Sequence, residues 1–218
     1  MINNFKLLEP LVLFENPGDC YFIQFLKRRK DNPDMKRDMV NVDNLFVYSL
    51  EQYREMEKTI IEIAEMHNAR AYIRVNRRNT ERLALFTQVQ VANLILSKDY
   101  KSVKNAYLSA AGKNNSEPLK RWVVDVDCDP VEDPDFEDRK ALIIKTIDEL
   151  HNECNRNSKQ GVYKRLLEVP TKNGVHIITN PFNLQKFREL ITSTVDIHKD
   201  NPTLLYVPGP DVVYEPEE

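Results

Sequence analysis

The chain has 218 residues, 41% of them hydrophobic and 30% charged, with a formal net charge of −3 at neutral pH. That balance is too apolar for general disorder, and no apolar run nears the roughly 20 residues needed to cross a bilayer. Three widely spaced cysteines, Cys20, Cys128 and Cys154, fit neither a disulfide framework nor a zinc cluster. With no signal-peptide core at the start, a reducing cytoplasm is the expected location.

In chain order, Asn16-Pro17-Gly18-Asp19 reads as a turn, and residues 21–26 form an apolar stretch, strand or buried helix, running into Lys27-Arg28-Arg29-Lys30. Residues 45–48 read as a strand, and Ser49 caps a helix that reaches about Met66. Residues 70–75 alternate as a strand does, and a second helix starts near Asn79-Thr80, carrying Leu83, Leu85, Phe86, Val89, Ala92, Leu94 and Ile95. A polar connector at 112–116 precedes Trp122-Val123-Val124-Asp125-Val126-Asp127, a strand interrupted only by its acids. From Arg139 to about Glu153 the pattern is helical, with Leu142, Ile143, Ile147 and Leu150 on one side. Residues 165–169 and 175–179 are strands joined by a turn containing Asn173-Gly174, a strong hairpin signal. Asn183 caps a helix through Leu190, residues 194–198 return to strand, and residues 204–207 close the core. Strands, helices and a hairpin together predict an α+β fold with a mixed or antiparallel sheet. The expected division is an N-terminal α/β subdomain over 1–118, a second subdomain over 119–212 and a disordered tail over 213–218.

Charges are segregated. Bases gather at 27–30, at Lys36-Arg37, and at Arg70, Arg74, Arg77, Arg78 and Arg82, whereas acids crowd residues 125–138. Such a map suits a phosphate-binding surface beside a cation site, or simply two solvated faces. Alternation along a strand puts Asp125 and Asp127 on one face, about 7 Å apart, and Val124 and Val126 on the other. Two such carboxylates raise each other's proton affinity, and a hard divalent cation relieves the penalty. Salt bridges to Arg or Lys at an exposed strand end are the plainer alternative. The turn Thr171-Lys172-Asn173-Gly174-Val175-His176 can aim backbone N–H groups, the Lys172 ammonium and the His176 imidazole at an anion. It can equally be a plain hairpin with a satisfied histidine. Asp196 is a third acid on an apolar stretch.

Taken together, the Val-Val-Asp-Val-Asp strand, the turn ending in Gly174-Val175-His176, and Val195-Asp196 resemble the three motifs of the archaeo-eukaryotic primase superfamily. The resemblance covers roughly residues 120–210. The continuation from Ile197 to Pro208 looks like the ligase-associated polymerase branch, and the Trp-Val-Val-Asp and Thr-Lys-Asn-Gly-x-His phrases are similar to primase-like proteins of phages and mobile elements. The resemblance implies an RRM-like primase-polymerase core and a nucleotidyltransferase that joins nucleoside triphosphates to a DNA or RNA strand. It implies Mg2+ or Mn2+ held by Asp125, Asp127 and Asp196. It also implies triphosphate contacts from His176, Lys172 and Thr171, and further phosphate or template contacts from Lys199 and Thr203. Arg74, Arg77 and Arg78 are expected to grip a nucleic-acid backbone, whereas Tyr72 and Phe22 are expected in the core. With no zinc module and no accessory domain expected, extension beside a replicative helicase or another replication protein fits better than unaided priming. A metal-dependent phosphoesterase on the same acids and a non-catalytic nucleic-acid-binding module remain the alternatives.

Overall fold

The computed structural model describes residues 1–128, 134–157, 163–192 and 195–209. Its elements are β1 (Ile2–Asn3), α1 (Phe5–Leu8), β2 (Asp19–Arg28), β3 (Met39–Val47), α2 (Leu50–Glu55), α3 (Glu57–Met66), β4 (Arg70–Arg74), β5 (Arg78–Asn79), α4 (Thr80–Leu96) and α5 (Ala106–Lys113). They are followed by β6 (Trp122–Asp127), α6 (Phe136–Asn157), β7 (Arg165–Thr171), β8 (Gly174–Thr179), α7 (Leu184–Leu190), β9 (Asp196–His198) and β10 (Pro202–Val207). The fold is mixed α+β, and every strand register described here is antiparallel. The tail expected at 213–218 lies outside the described residues, as does Thr194 at the start of the expected ninth strand.

Two compact units divide the chain, one of residues 1–118 with 204–218, the other of residues 119–203. The first is built on a sheet in the order β1-β10-β4-β2-β3, with β5 attached to β2. Residues 21–26 resolve as strand: β2 pairs with β3, β4 and β5, and Tyr21, Phe22, Ile23 and Phe25 are all buried. A strand apolar on both sides is what a sheet covered on both faces needs. Cys20 and Phe22 pack with Leu83 of α4 and Ala110 and Ala111 of α5. Tyr72 joins Leu204 and Val207, so Phe22 and Tyr72 are core residues, as expected. Burial pushes the Cys20 thiol up to about 11.

The caps read from sequence are present. Ser49 Oγ accepts from the Gln52 amide at 3.0 Å, Asn79 Oδ1 from Arg82 at 3.3 Å and Asn183 Oδ1 from Lys186 at 3.1 Å. The single helix expected after Ser49 is instead two, meeting at Met56. No glycine or proline marks that break. Tyr53, whose hydroxyl donates to the Phe5 carbonyl at 2.9 Å, and Ile60 are both fully buried, so packing sets the chain direction there.

The second unit runs β6-α6-β7-β8-α7-β9, with sheet order β7-β8-β6-β9. One face is sealed by α6 and α7: Trp122, Val124, Val126, Val175 and Ile177 pack with Ile143, Ile147 and Leu150 of α6 and with Phe187. Leu142, expected on the same apolar side, is 54% exposed, because the inward stripe of α6 runs through 143, 147 and 150. Beneath it His151 is buried, its Nε2 3.0 Å from the Asn180 carbonyl, while Nδ1 has no partner among the described residues.

Two predictions follow from groups buried in this way. Burial holds the His151 imidazole below its ordinary 6.5, against opposing pulls from the Asn180 carbonyl and Asp148. Below about pH 6.5 the unfolded chain takes up a proton that the folded chain refuses, so stability falls as pH drops toward the folded value. Melting temperature followed from pH 7.5 to 5 is expected to decline less steeply in His151→Gln than in wild type. Arg77 sits in the first unit with its side chain 2% exposed, ion-paired to Glu15 (2.6 Å), Asp19 (3.2 Å) and Glu117 (3.5 Å). Arg77→Ala strands the equally buried Asp19 and is expected to cost about 3–5 kcal/mol by denaturant titration.

Candidate active site

Strand β6 carries opposite chemistry on its two faces. Val124 and Val126 belong to the helix-covered core, and Asp125 and Asp127 point the other way. Its register with both neighbours is antiparallel: Asp125 lies opposite His176 of β8 on one side and opposite Asp196 of β9 on the other. Val169 of β7 stands opposite His176 in turn. One row across four strands therefore reads Val169, His176, Asp125, Asp196. The next row holds Thr171, Gly174 and Asp127.

Within the row, His176 Nε2 is 3.4 Å from Asp125 Oδ1. The other ring nitrogen, Nδ1, is 2.9 Å from Thr203 Oγ1, and the Thr203 side chain is fully buried. When the Thr203 hydroxyl donates to Nδ1, the ring proton rests on Nε2, the nitrogen that faces the carboxylate. The His176 side chain is 11% exposed and that of Asp125 28%, whereas Asp196 and Asp127 are exposed. The row thus grades from a buried imidazole to an open carboxylate.

Gly174 fixes how closely β8 approaches β6. Its φ is +153°, and a Cβ there would sit 2.1 Å from the Val126 carbonyl oxygen. The hairpin differs by one residue from the Asn-Gly turn expected: Lys172 and Asn173 form the loop, Thr171 pairs with Gly174, and Gly174 opens β8. What requires glycine here is therefore close packing rather than a primed turn, since neither loop residue takes a positive φ. The Asn173 carbonyl accepts from the Cys128 amide, tying the loop to the end of β6 beyond Asp127.

A divalent cation fits the donors present. Asp125 and Asp196 are like charges directly opposite on paired strands, a juxtaposition that a cation relieves. Among the described residues no three His, Cys, Asp or Glu side chains form a ready-made metal cage. Mg2+ does not need one: it is usually bound by one or two carboxylates, with water and substrate phosphates completing the octahedron.

The other expected site residues fall in different places. Thr171 is half-buried in the row of Asp127, and Lys172 is exposed in the adjoining loop. Lys199 lies away from the row, its Nζ 5.5 Å from the ring centroid of Trp122, which belongs to the helix-covered face. Thr203 is 0% exposed and meets His176, so burial rules out the phosphate contact expected of it and makes it the residue that orients the imidazole. Arg74 Nε donates to Gln24 at 3.2 Å, and Arg77 is enclosed by its three acids. Arg78 is fully buried, its guanidinium donating to the carbonyls of Ala111 and Asn76. Arg77 and Arg78 thus present no guanidinium at the surface for a nucleic-acid backbone. Part of the acidic stretch, residues 129–133, lies outside the described residues.

No family model, curated protein or solved structure matches the chain.

The close contact at Gly174 and the Thr203 bond make separable predictions. Gly174→Ala pushes β8 off β6 and is expected to lower the melting temperature markedly, because the clash is with backbone. Thr203→Val keeps the shape of the side chain and removes the hydroxyl. It is expected to cost about 1–3 kcal/mol, because the buried Nδ1 loses its partner, and to move the His176 ring resonances by NMR.

Proposed function

We propose that the second unit is a metal-dependent nucleotidyltransferase site of primase-polymerase type, joining a nucleoside triphosphate to a nucleic-acid strand. The observation that carries the proposal is the single row of His176, Asp125 and Asp196 on adjacent strands, with Asp127 on the same face. Those four residues are the ones on which the sequence resembles the primase superfamily. The element order β6-α6-β7-β8-α7-β9 with sheet order β7-β8-β6-β9 supports it too, being the split β-α-β arrangement that the resemblance implies.

In this reading Asp125 and Asp196 hold Mg2+ or Mn2+, with Asp127 as a further ligand toward the open end of the strand. The bound ion supplies Lewis-acid polarisation of a phosphate oxygen and favours the ionised form of an attacking hydroxyl. His176, oriented by Thr203, donates from Nε2 to a phosphate oxygen of the triphosphate, and Lys172 adds a point charge at the hairpin tip. The strand's 3′-oxygen attacks the α-phosphorus, the bond to the β-phosphate oxygen breaks, and pyrophosphate leaves with the pair of electrons. With Arg77 and Arg78 buried, neither serves to grip the strand backbone.

The test combines binding with turnover. Mn2+ and a nucleoside triphosphate together, at about a hundred times their dissociation constants, are expected to stabilise the wild type by roughly 2.7 kcal/mol. Asp125→Asn/Asp196→Asn is expected to lose that shift while keeping the circular-dichroism spectrum of the wild type. A labelled primer on a template is expected to lengthen in one-nucleotide steps with wild type only. Shortening of the strand would overturn the reading in favour of a phosphoesterase, and a triphosphate-independent shift without turnover would reduce the site to cation binding.

A further inference from the structure

Helix α4 inverts the usual arrangement of a surface helix. Leu83 is its one buried residue, and Thr87, Gln90, Val91 and Leu94 lie half-buried along the same side. At about 100° per residue, the line running down the opposite side is Leu85, Val89, Ala92 and Leu96. All four are exposed, Leu85 by 57%, Val89 by 60% and Leu96 by 80%, and Phe86 (43%) and Ile95 (49%) flank them. The outward face is therefore more apolar than the inward one, the reverse of what water selects for a lone helix. From Leu83 to Ser97 there is no charged residue.

The area and the charge pattern identify what covers this face. The apolar side chains leave on the order of 500 Å2 open, at the upper end for a monomer. With the flanking polar residues included, the face approaches the roughly 800 Å2 that each partner gives a standard interface. An uncharged face offers nothing to phosphates or to a charged peptide. A helix lying on a membrane carries Lys or Arg on its polar side, and α4 has none over this stretch.

Order along the helix supplies the decisive feature. Counting outward from the midpoint between Gln90 and Val91, like meets like: Val89 matches Ala92, Gln88 matches Asn93, Phe86 matches Ile95 and Leu85 matches Leu96. The first charges beyond the seam are Arg82 at one end and, past the end of the helix at Leu96, Lys98 and Asp99 at the other, so the face itself carries none. A twofold axis through that midpoint sets Leu85 against Leu96 and Val89 against Ala92 along the seam, with Phe86 and Ile95 on its two flanks, as a self-complementary interface requires. The 85, 89, 92, 96 spacing is the four-three-four step of a helix–helix seam, and Ala92 near its centre allows close approach.

We propose that this face of α4 is the contact by which two copies of the chain form an antiparallel, twofold dimer. The proposal is independent of the nucleotidyl-transfer reading, because every residue in it belongs to the first unit.

Sedimentation equilibrium under reducing conditions, over roughly 1–100 µM protein, tests it. Wild type is expected to pass from monomer to dimer. Val89→Lys puts a charge into the seam from an exposed position, and is expected to weaken association by about tenfold or more with an unchanged circular-dichroism spectrum. Leu96→Lys, an exposed position at the far end of the seam, is expected to weaken the dimer likewise. A wild type that stays monomeric, or a dimer indifferent to Val89→Lys, overturns the proposal. A dimer indifferent to Leu96→Lys overturns the antiparallel pairing of Leu85 with Leu96. Monomers that sediment with phosphatidylcholine vesicles would overturn it in favour of a lipid surface.

Discussion

Everything in the second unit depends on β6 being hydrogen-bonded on both edges in antiparallel register. The pleat sends Val124 and Val126 into the helix-covered core and leaves Asp125 and Asp127 outside it. The register then chooses their neighbours, putting His176 on one side of Asp125 and Asp196 on the other. A slip of one residue in β8 would turn His176 toward the core and bring Ile177 beside the carboxylate. Two independent constraints oppose it. Val175 and Ile177 fill the core only in the observed register, and Gly174 is the one residue that tolerates lying against the Val126 carbonyl.

The two units treat acidic side chains in contrasting ways. In the first, Glu15, Asp19 and Glu117 converge on one buried guanidinium, which offsets part of their charge. In the second, Asp125 and Asp196 face each other across paired strands, with the His176 imidazole beside Asp125. In the reading proposed above the second also takes a cation, and that difference, more than the number of acids, separates a structural cluster from a candidate reactive one.

Much of this was legible in the sequence. Strand alternation placed Asp125 and Asp127 on one face, and the caps at Ser49, Asn79 and Asn183 followed from residue type alone. The failures share a cause, since local pattern does not reveal tertiary partners. Arg77 and Arg78 sit in a run of bases indistinguishable from a solvated patch, and only the distant Glu15, Asp19 and Glu117, or the Ala111 carbonyl, show that they are interior. Thr203 reads, through the resemblance, as a phosphate or template contact, and its 27-residue separation from His176 hides the bond that orients the ring. The break at Met56 has no local signal, and the Asn173-Gly174 pair marked the hairpin while misplacing its loop by one residue.

Strand β10 has a consequence for how the chain matures. It lies between β1 and β4 in the first sheet, pairs Val207 with Ile2, and receives the Asn4 side-chain amide on the Leu204 carbonyl, a closure across 200 residues. During synthesis, therefore, the first sheet waits with a vacancy between its opening strand and its centre while all of residues 119–203 are made. Until the last strand emerges, β4 is a bare edge and the opening strand has nothing to pair with, a state prone to capture by other chains. The inserted unit, whose strands β6 to β9 pair only among themselves, has no such wait. The chain's middle can thus be finished before its beginning.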